Sequence, residues 1–238
     1  MEELTSYLRE LAIANRILAR EGVVDAFGHI SMRHPGNSDR YLLSRSRAPE
    51  LITPDDIMEF SLDGVAVDGR DRTPYGERFI HGAIYEQRPE VNSVVHNHSH
   101  ELIPFSVTDA PLRPIAHVCA VIGMDIPTWD IADKFGETDH LVINMEQGRD
   151  LAAALGGGQV ALMRGHGSVC AAASLKEAVM TAVYLQVNAK LQLQALQLGV
   201  PKFLSPTEIE KCTARQNSPL GMDRAWEYWV SRIDSAGV

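Results

Sequence analysis

The chain has 238 residues, of which 45% are apolar and 22% charged, proportions that suit a packed core and exclude a disordered or fibrous polymer. A formal net charge of −9, with no block of lysine or arginine, argues against nucleic acid as a partner. Three widely spaced cysteines without a CxxC pair speak against a disulfide framework or thiolate zinc, and the acidic N-terminus speaks against a secretory leader, so a reduced cytoplasmic protein is expected.

In chain order, Leu4, Leu8, Leu11, Ala12, Ile17 and Leu18 recur at helical spacing and predict a helix over 2–20, stopped by Gly22. From Asp25 to Asp68 the pattern changes to short runs, HISMR, RYLLS and VAVDG, separated by the turn clusters HPGNSD and SLDG, which predict strands. LITPDDIMEF reads as a short helical interruption begun at Thr53 and Pro54. Residues 76–89 are helix-compatible, with Phe79, Ile80, Ala83 and Ile84 on one face and Pro89 as the stop.

A strand over VNSVVHNHSH follows, then a helix near 100–107, short strands near 113–118 and 139–144, and a helix over 146–156 closed by three glycines. QVALMRGHGSVCAA is a strand leading to a second histidine-bearing tip. Ser174 and Glu177 predict a capping box that opens a helix to about Leu198, and Lys176, Glu177 and Lys190 make that helix amphipathic rather than membrane-spanning. DRAWEYWV predicts a docking helix that packs on the core or on a neighbouring subunit. No repeat or linker divides the chain, so 1–238 reads as one α+β domain with antiparallel strand content.

Three histidines in five residues, HNHSH, are the densest chemistry in the sequence. Side chains alternate along a strand, so His96, His98 and His100 can share one face. They read either as polar residues closing a strand or as ligands of one metal ion, and the H-x-H spacing favours the ion. Two imidazoles hold a divalent ion weakly, and a third is available in RGHGSV, where Gly165 and Gly167 flank His166. Glu77 is the best carboxylate, because it opens the helix that feeds the histidine strand; on spacing alone it could equally be a helix N-terminal charge. His34, His81 and His140 take no role beyond surface or packing.

An acidic residue opening a helix, an R-P turn, VVHNH and a later G-H-G, together with AFGHISMR and ITPDDI, resemble the class II aldolase/adducin family over about residues 20–200. The resemblance implies a class II aldolase-like α/β fold, a three-layer αβα arrangement around a central, mostly antiparallel sheet. It also implies one divalent metal ion per subunit, zinc or manganese with iron or cobalt also accepted, held by His96, His98 and His166. Glu77 becomes the acid/base, and the assembly a homotetramer with active sites at subunit interfaces.

Departures from the sugar-phosphate aldolases point to a branch. Tyr75 and Gly76 stand where those enzymes carry a phosphate-binding Ser-Ser pair, His29 replaces an asparagine, and Val118 after His117 replaces a tyrosine. SRSRAPE offers Ser44 with Ser46 to one side and Arg45 with Arg47 to the other; the arginines suit carboxylates, or form a basic turn neutralised by Glu50, Asp55 and Asp56. These features look like the decarboxylase branch, whose substrates include dihydroxyphthalates and a hydroxypyridine dicarboxylate. The resemblance therefore implies a metal-dependent, non-oxidative decarboxylase of an ortho-hydroxy aromatic or ring-cleaved dienoic polycarboxylate. His29, Ser44, Arg45, Arg47, Tyr75 and His117 are the expected substrate contacts. The alternatives are a class II aldolase acting on a small aldehyde or ketone, and a non-catalytic interaction module like the adducin head.

Overall fold

The structure, a computed structural model, describes residues 2–67 and 71–233. Helix α1 (Glu2–Arg20) buries Leu11, Ala14, Ile17 and Leu18 and ends at Gly22, whose φ of +72° is the left-handed conformation that terminates helices. Strands β1 (His29–Arg33) and β2 (Arg40–Ser44) form a hairpin where alternation predicted it. The expected helical interruption over 51–60 is different. Two 3-10 turns, Pro49–Leu51 and Pro54–Asp56, are followed by strand β3 (Ile57–Ser61), because the Thr53/Asp56 capping box closes after one turn and Met58 and Phe60 then pair with Leu43 and Tyr41. Of the expected strand VAVDG, Ala66 makes only an isolated bridge to Phe60, and Asp68 and Gly69 lie outside the described residues.

Helix α2 (Arg78–Gln87) leads to β4 (Ser93–Asn97), and a short α3 (Ile103–Ser106) follows. The strands expected near 113–118 and 139–144 are absent from the described residues, for a common reason: side chains occupy the backbone groups that a ladder would use. Asn188 and Gln192 bond to the backbone of Pro111, Arg113 and Ile115, and 117–122 is a 3-10 helix. Asp139, Glu77 and Gln147 accept from the amides of Leu141, Val142 and Ile143. A two-residue strand the sequence did not signal, β5 (Thr128–Trp129), precedes α4 (Ala132–Phe135) and α5 (Met145–Leu155). The segment 159–172 is a hairpin of β6 (Val160–Met163) and β7 (Gly167–Ala172), with His166 in its turn.

Helices α6 (Leu175–Leu198), α7 (Pro206–Gln216) and α8 (Pro219–Val230) complete the described elements. Ser174 caps α6 by accepting from the Glu177 amide at 3.2 Å, but the Glu177 carboxylate accepts from Ala173, so the expected reciprocal box is half formed. No helix among the described residues is long and apolar enough to cross a membrane.

The seven strands run in the order β3-β2-β1-β4-β7-β6-β5, antiparallel throughout except for β5 beside β6. Alternation divides the core. Ile30, Leu42, Val95 and Cys170 face α1, α6 and α8, whereas Leu43, Val94, Val169 and Ala171 face α2 and α5. The result is helix, sheet and helix in three layers. The C-terminal helix docks on this chain's own core: Trp229 is buried, 6.2 Å from the Tyr184 ring on α6.

Candidate metal centre

The centre forms at one end of the sheet, where β4, the β6–β7 turn and the start of α2 meet. His96 is on β4, on the face toward α2, and its Nδ1 lies 3.1 Å from the Ser168 carbonyl. A carbonyl only accepts, so Nδ1 carries the proton and Nε2 presents its lone pair. Strand β4 ends at Asn97, whose side chain bonds to the Ser168 hydroxyl and accepts from the Ser99 amide in a turn of its own. His98 therefore reaches the centre from a turn, not from a strand face. His100, expected on that face, is exposed and lies outside the cluster. His166 is aimed by its hairpin turn: Gly165 has φ +63°, and a Cβ on Gly167 would lie 1.9 Å from the Asn97 carbonyl oxygen.

Three imidazoles and one carboxylate converge there. His98 Nε2 lies 3.1 Å from His96 Nε2 and 3.0 Å from His166 Nε2, and Glu77 Oε2 lies 3.3 and 3.6 Å from the His96 and His166 nitrogens. Glu77, just ahead of α2, is buried and fixed by the Val142 amide, which donates to Oε1 at 3.0 Å. A His96 lone pair facing a carboxylate oxygen repels it unless a cation lies between them. Nitrogens about 3 Å apart also match neighbouring ligands roughly 2.1 Å from a shared ion. The residues present thus fit a divalent metal, and the four donor atoms all lie within 4.8 Å of one another. Burial raises the Glu77 carboxyl, but positive charge on the His96 and His166 side outweighs it and holds the group well below the usual carboxylate range. Burial, then His96 and His166, lowers His98 to about 4, which keeps it a neutral donor near pH 7.

The other expected residues fall into three places. His29 is paired with His96 across β1 and β4, their ring centroids 5.2 Å apart, and the Tyr75 ring is 4.5 Å from His29. Arg45 and Arg47 both bind Asp56, at 2.6 and 2.7 Å, while Thr53 donates to it twice. Burial raises the Asp56 carboxyl, and the bonds from Arg45, Thr53 and Arg47 outweigh it, bringing it to about 2. Ser44 is buried, its hydroxyl beside that of Tyr75. Tyr75 bonds through its hydroxyl to the Arg47 backbone, tying the arginine loop to His29. His117 is apart from all of these, exposed at a cavity of about 990 Å³ that Tyr184, Arg215 and Tyr228 also line.

Sequence reasoning set aside His81, which is fully buried and bonds to His29 at 2.6 Å. Ser31 and Tyr85 continue the same network. A signal was available: Glu77, His81 and Tyr85 recur every four residues, one polar stripe along a helix.

Residues 9–193 match the family described as Class II Aldolase and Adducin N-terminal domain. The chain belongs to that family. It is 33% identical to decarboxylase tropJ of Talaromyces stipitatus, over 93% of this chain and 92% of that protein. It is 30% identical to the 3,4-dihydroxyphthalate decarboxylase of Arthrobacter keyseri, over 95% and 93%. Among solved structures, the L-fuculose 1-phosphate aldolase of Glaciozyma antarctica superposes with a TM-score of 0.77 at 22% identity, covering 96% of this chain and 88% of its own. That likeness carries the fold alone. The sequence relatives place the chain in the decarboxylase-like branch of the family.

Proposed function

We propose that the protein is a metal-dependent, non-oxidative decarboxylase of an ortho-hydroxy aromatic polycarboxylate. The lyase class rests on the near-full-length match to two proteins named decarboxylases, and that match is the observation that carries the reading. The dihydroxyphthalate named for one of them sets the proposed substrate class. His96, His98 and His166 would hold the ion, with Glu77 beside it. A bound divalent ion supplies Lewis-acid stabilisation for the negative charge left on the substrate as CO2 departs.

The chain's own residues do the rest. Glu77 Oε1 is occupied by the Val142 amide, so Oε2 is the oxygen free to move a proton. It takes the proton of the substrate hydroxyl and returns it to the ring carbon as the bond to the carboxylate carbon breaks. Arg45 and Arg47 keep N–H groups beyond those used by Asp56 and are each about one-third exposed, at 37% and 34%, which lets them orient a carboxylate. Gly76 leaves open space beside Glu77, room that a planar ring can use.

The same reading includes a homotetramer with the sites at subunit interfaces. Phe27, 66% exposed, has its ring 6.4 Å from His98, and Val107, Leu141 and Ile143 are exposed around the same centre. An apolar rim of this kind is normally covered.

Incubation of manganese-loaded protein with 3,4-dihydroxyphthalate, followed by mass spectrometry, is expected to show loss of CO2. An intact substrate beside condensation of dihydroxyacetone phosphate with glycolaldehyde would replace this reading with an aldolase. Light scattering is expected to give four times the chain mass.

A further inference from the structure

Next to the candidate metal centre lies a chain of buried polar contacts that the proposed chemistry does not use, with the Val94 backbone beside His81 and Tyr85. His29 Nδ1 is 2.6 Å from His81 Nε2, His81 Nδ1 is 2.6 Å from the Ser31 hydroxyl, and that hydroxyl is 2.7 Å from the Tyr85 hydroxyl. All four residues are at most 3% exposed, so a donor left without an acceptor here has no solvent to turn to. Counting protons then decides the direction. Two ring nitrogens in contact hold one proton between them, and each hydroxyl has one to give.

Suppose the chain ran outward from His29. The ring would donate through Nδ1 to His81, His81 through its own Nδ1 to Ser31, and Ser31 to Tyr85. The Tyr85 proton would then have no acceptor among the described residues, since the groups beside its hydroxyl are Ser31 and the Val94 backbone amide, which itself donates. Letting Tyr85 and His81 both donate to Ser31 strands the Ser31 proton in the same way. One arrangement satisfies every buried donor. Tyr85 donates to Ser31, Ser31 to His81 Nδ1, and His81 Nε2–H to His29 Nδ1.

That arrangement leaves the His29 proton on Nε2, which no group among the described residues accepts, although Nε2 is not sealed from the exterior. The ring stands between His96 on one side and, by extension of the β1–β2 register, Arg45 on the other. We propose that His29 is a fixed N–H donor to a substrate carboxylate oxygen, and that His81, Ser31 and Tyr85 are positioning residues that set its tautomer. The tautomer assignment stands on the hydrogen-bond geometry alone, whereas the carboxylate as acceptor rests on the decarboxylase reading above. The inference predicts selectivity for substrates with an anionic oxygen beside the metal-bound group. A lone pair at Nε2 would instead repel such an oxygen.

The first test reads the tautomer without turnover. Nitrogen-15 spectra of histidine-labelled, zinc-loaded protein, with His29 assigned by its loss in His29→Asn, are expected to show protonated Nε2 and bare Nδ1 at His29. Adding phthalate, which cannot react by the same route, is expected to shift the Nε2–H signal. Tyr85→Phe, which leaves Ser31 its acceptor at His81 Nδ1, is expected to keep the His29 tautomer, whereas His81→Phe removes the donor to His29 Nδ1 and is expected to convert that ring to a mixture of tautomers. With 3,4-dihydroxyphthalate His81→Phe should raise KM about tenfold at unchanged kcat, as loss of a donor that holds ground and transition states alike would. Bare Nε2 in the unmodified protein, or a His29 spectrum that His81→Phe leaves as it was, would overturn the inference. The expected tautomer in a protein that releases no CO2 would support the hydrogen-bond assignment and defeat only the substrate reading.

Discussion

Two charged clusters lie side by side at the end of the sheet, and their electrostatics are opposite. Around Asp56, two guanidiniums and the Thr53 donors meet one carboxylate, and the chain satisfies that carboxylate itself. Around Glu77, a carboxylate meets imidazoles of which at least one presents a lone pair. The first cluster is complete as folded; the second is complete only with a cation supplied from outside. A group of acceptors that the fold leaves facing one another marks where a ligand enters, whereas a compensated ion triad marks how the neighbouring loop is held in shape.

The largest expected effect comes from breaking the second term of that contrast. Losing an outer partner of a metal ligand already costs roughly 10–100-fold in affinity, so His96→Ala should lower metal affinity by about 100-fold or more and take turnover with it. Metal content after dialysis and activity at saturating manganese measure the two. Glu77→Gln separates proton movement from metal holding: turnover should fall by about 10²–10⁴-fold with metal content retained. Full activity in that variant would remove Glu77 from the chemistry.

Asp56→Asn probes the self-satisfied cluster. The folded Asp56 carboxyl titrates at about 2, below its ordinary 3.8. Its stabilisation is therefore fully present above pH 4 and is lost as pH falls through about 2, and the shift corresponds to about 2 kcal/mol. Urea unfolding should show the variant less stable by that order at pH 7, with the gap closing as pH drops from 4 to 2. A gap independent of pH would mean that the arginines are held by something else. Tyr75→Phe cuts the link between the clusters and should have the smallest effect, a few-fold rise in KM with stability lowered by about 1 kcal/mol or less.

Much of this was legible in the residues. Alternation in HISMR and RYLLS, the Gly22 stop and the family motifs pointed to the layered fold, and HNHSH with RGHGS to the histidine cluster that could hold a metal. The misses have physical causes. Residues 113–118 and 139–144 look like strands, but side chains take their backbone hydrogen bonds, those of Gln192, Asn188 and Glu77 from far along the chain, which no local pattern records. IMEFS was hidden by the helix-start signal at Thr53 and Pro54, a signal the chain uses for a single turn. His81 was set aside because a histidine viewed alone is ordinary, and its meaning lies in the spacing to Glu77 and Tyr85. His117 lies on another surface in this chain, so its proposed contact with substrate depends on the assembly.

That spacing has a consequence for how the protein can change. Glu77, His81 and Tyr85 lie along α2 and its first turn, so the candidate acid/base and two of the residues that orient His29 are carried by one rod. Inserting or deleting one residue between 78 and 84 would rotate everything beyond it by about 100° relative to Glu77. The segment should therefore accept exchanges of side chain on its outer face and reject every change of length, a fixed ruler beside surface loops that tolerate insertion.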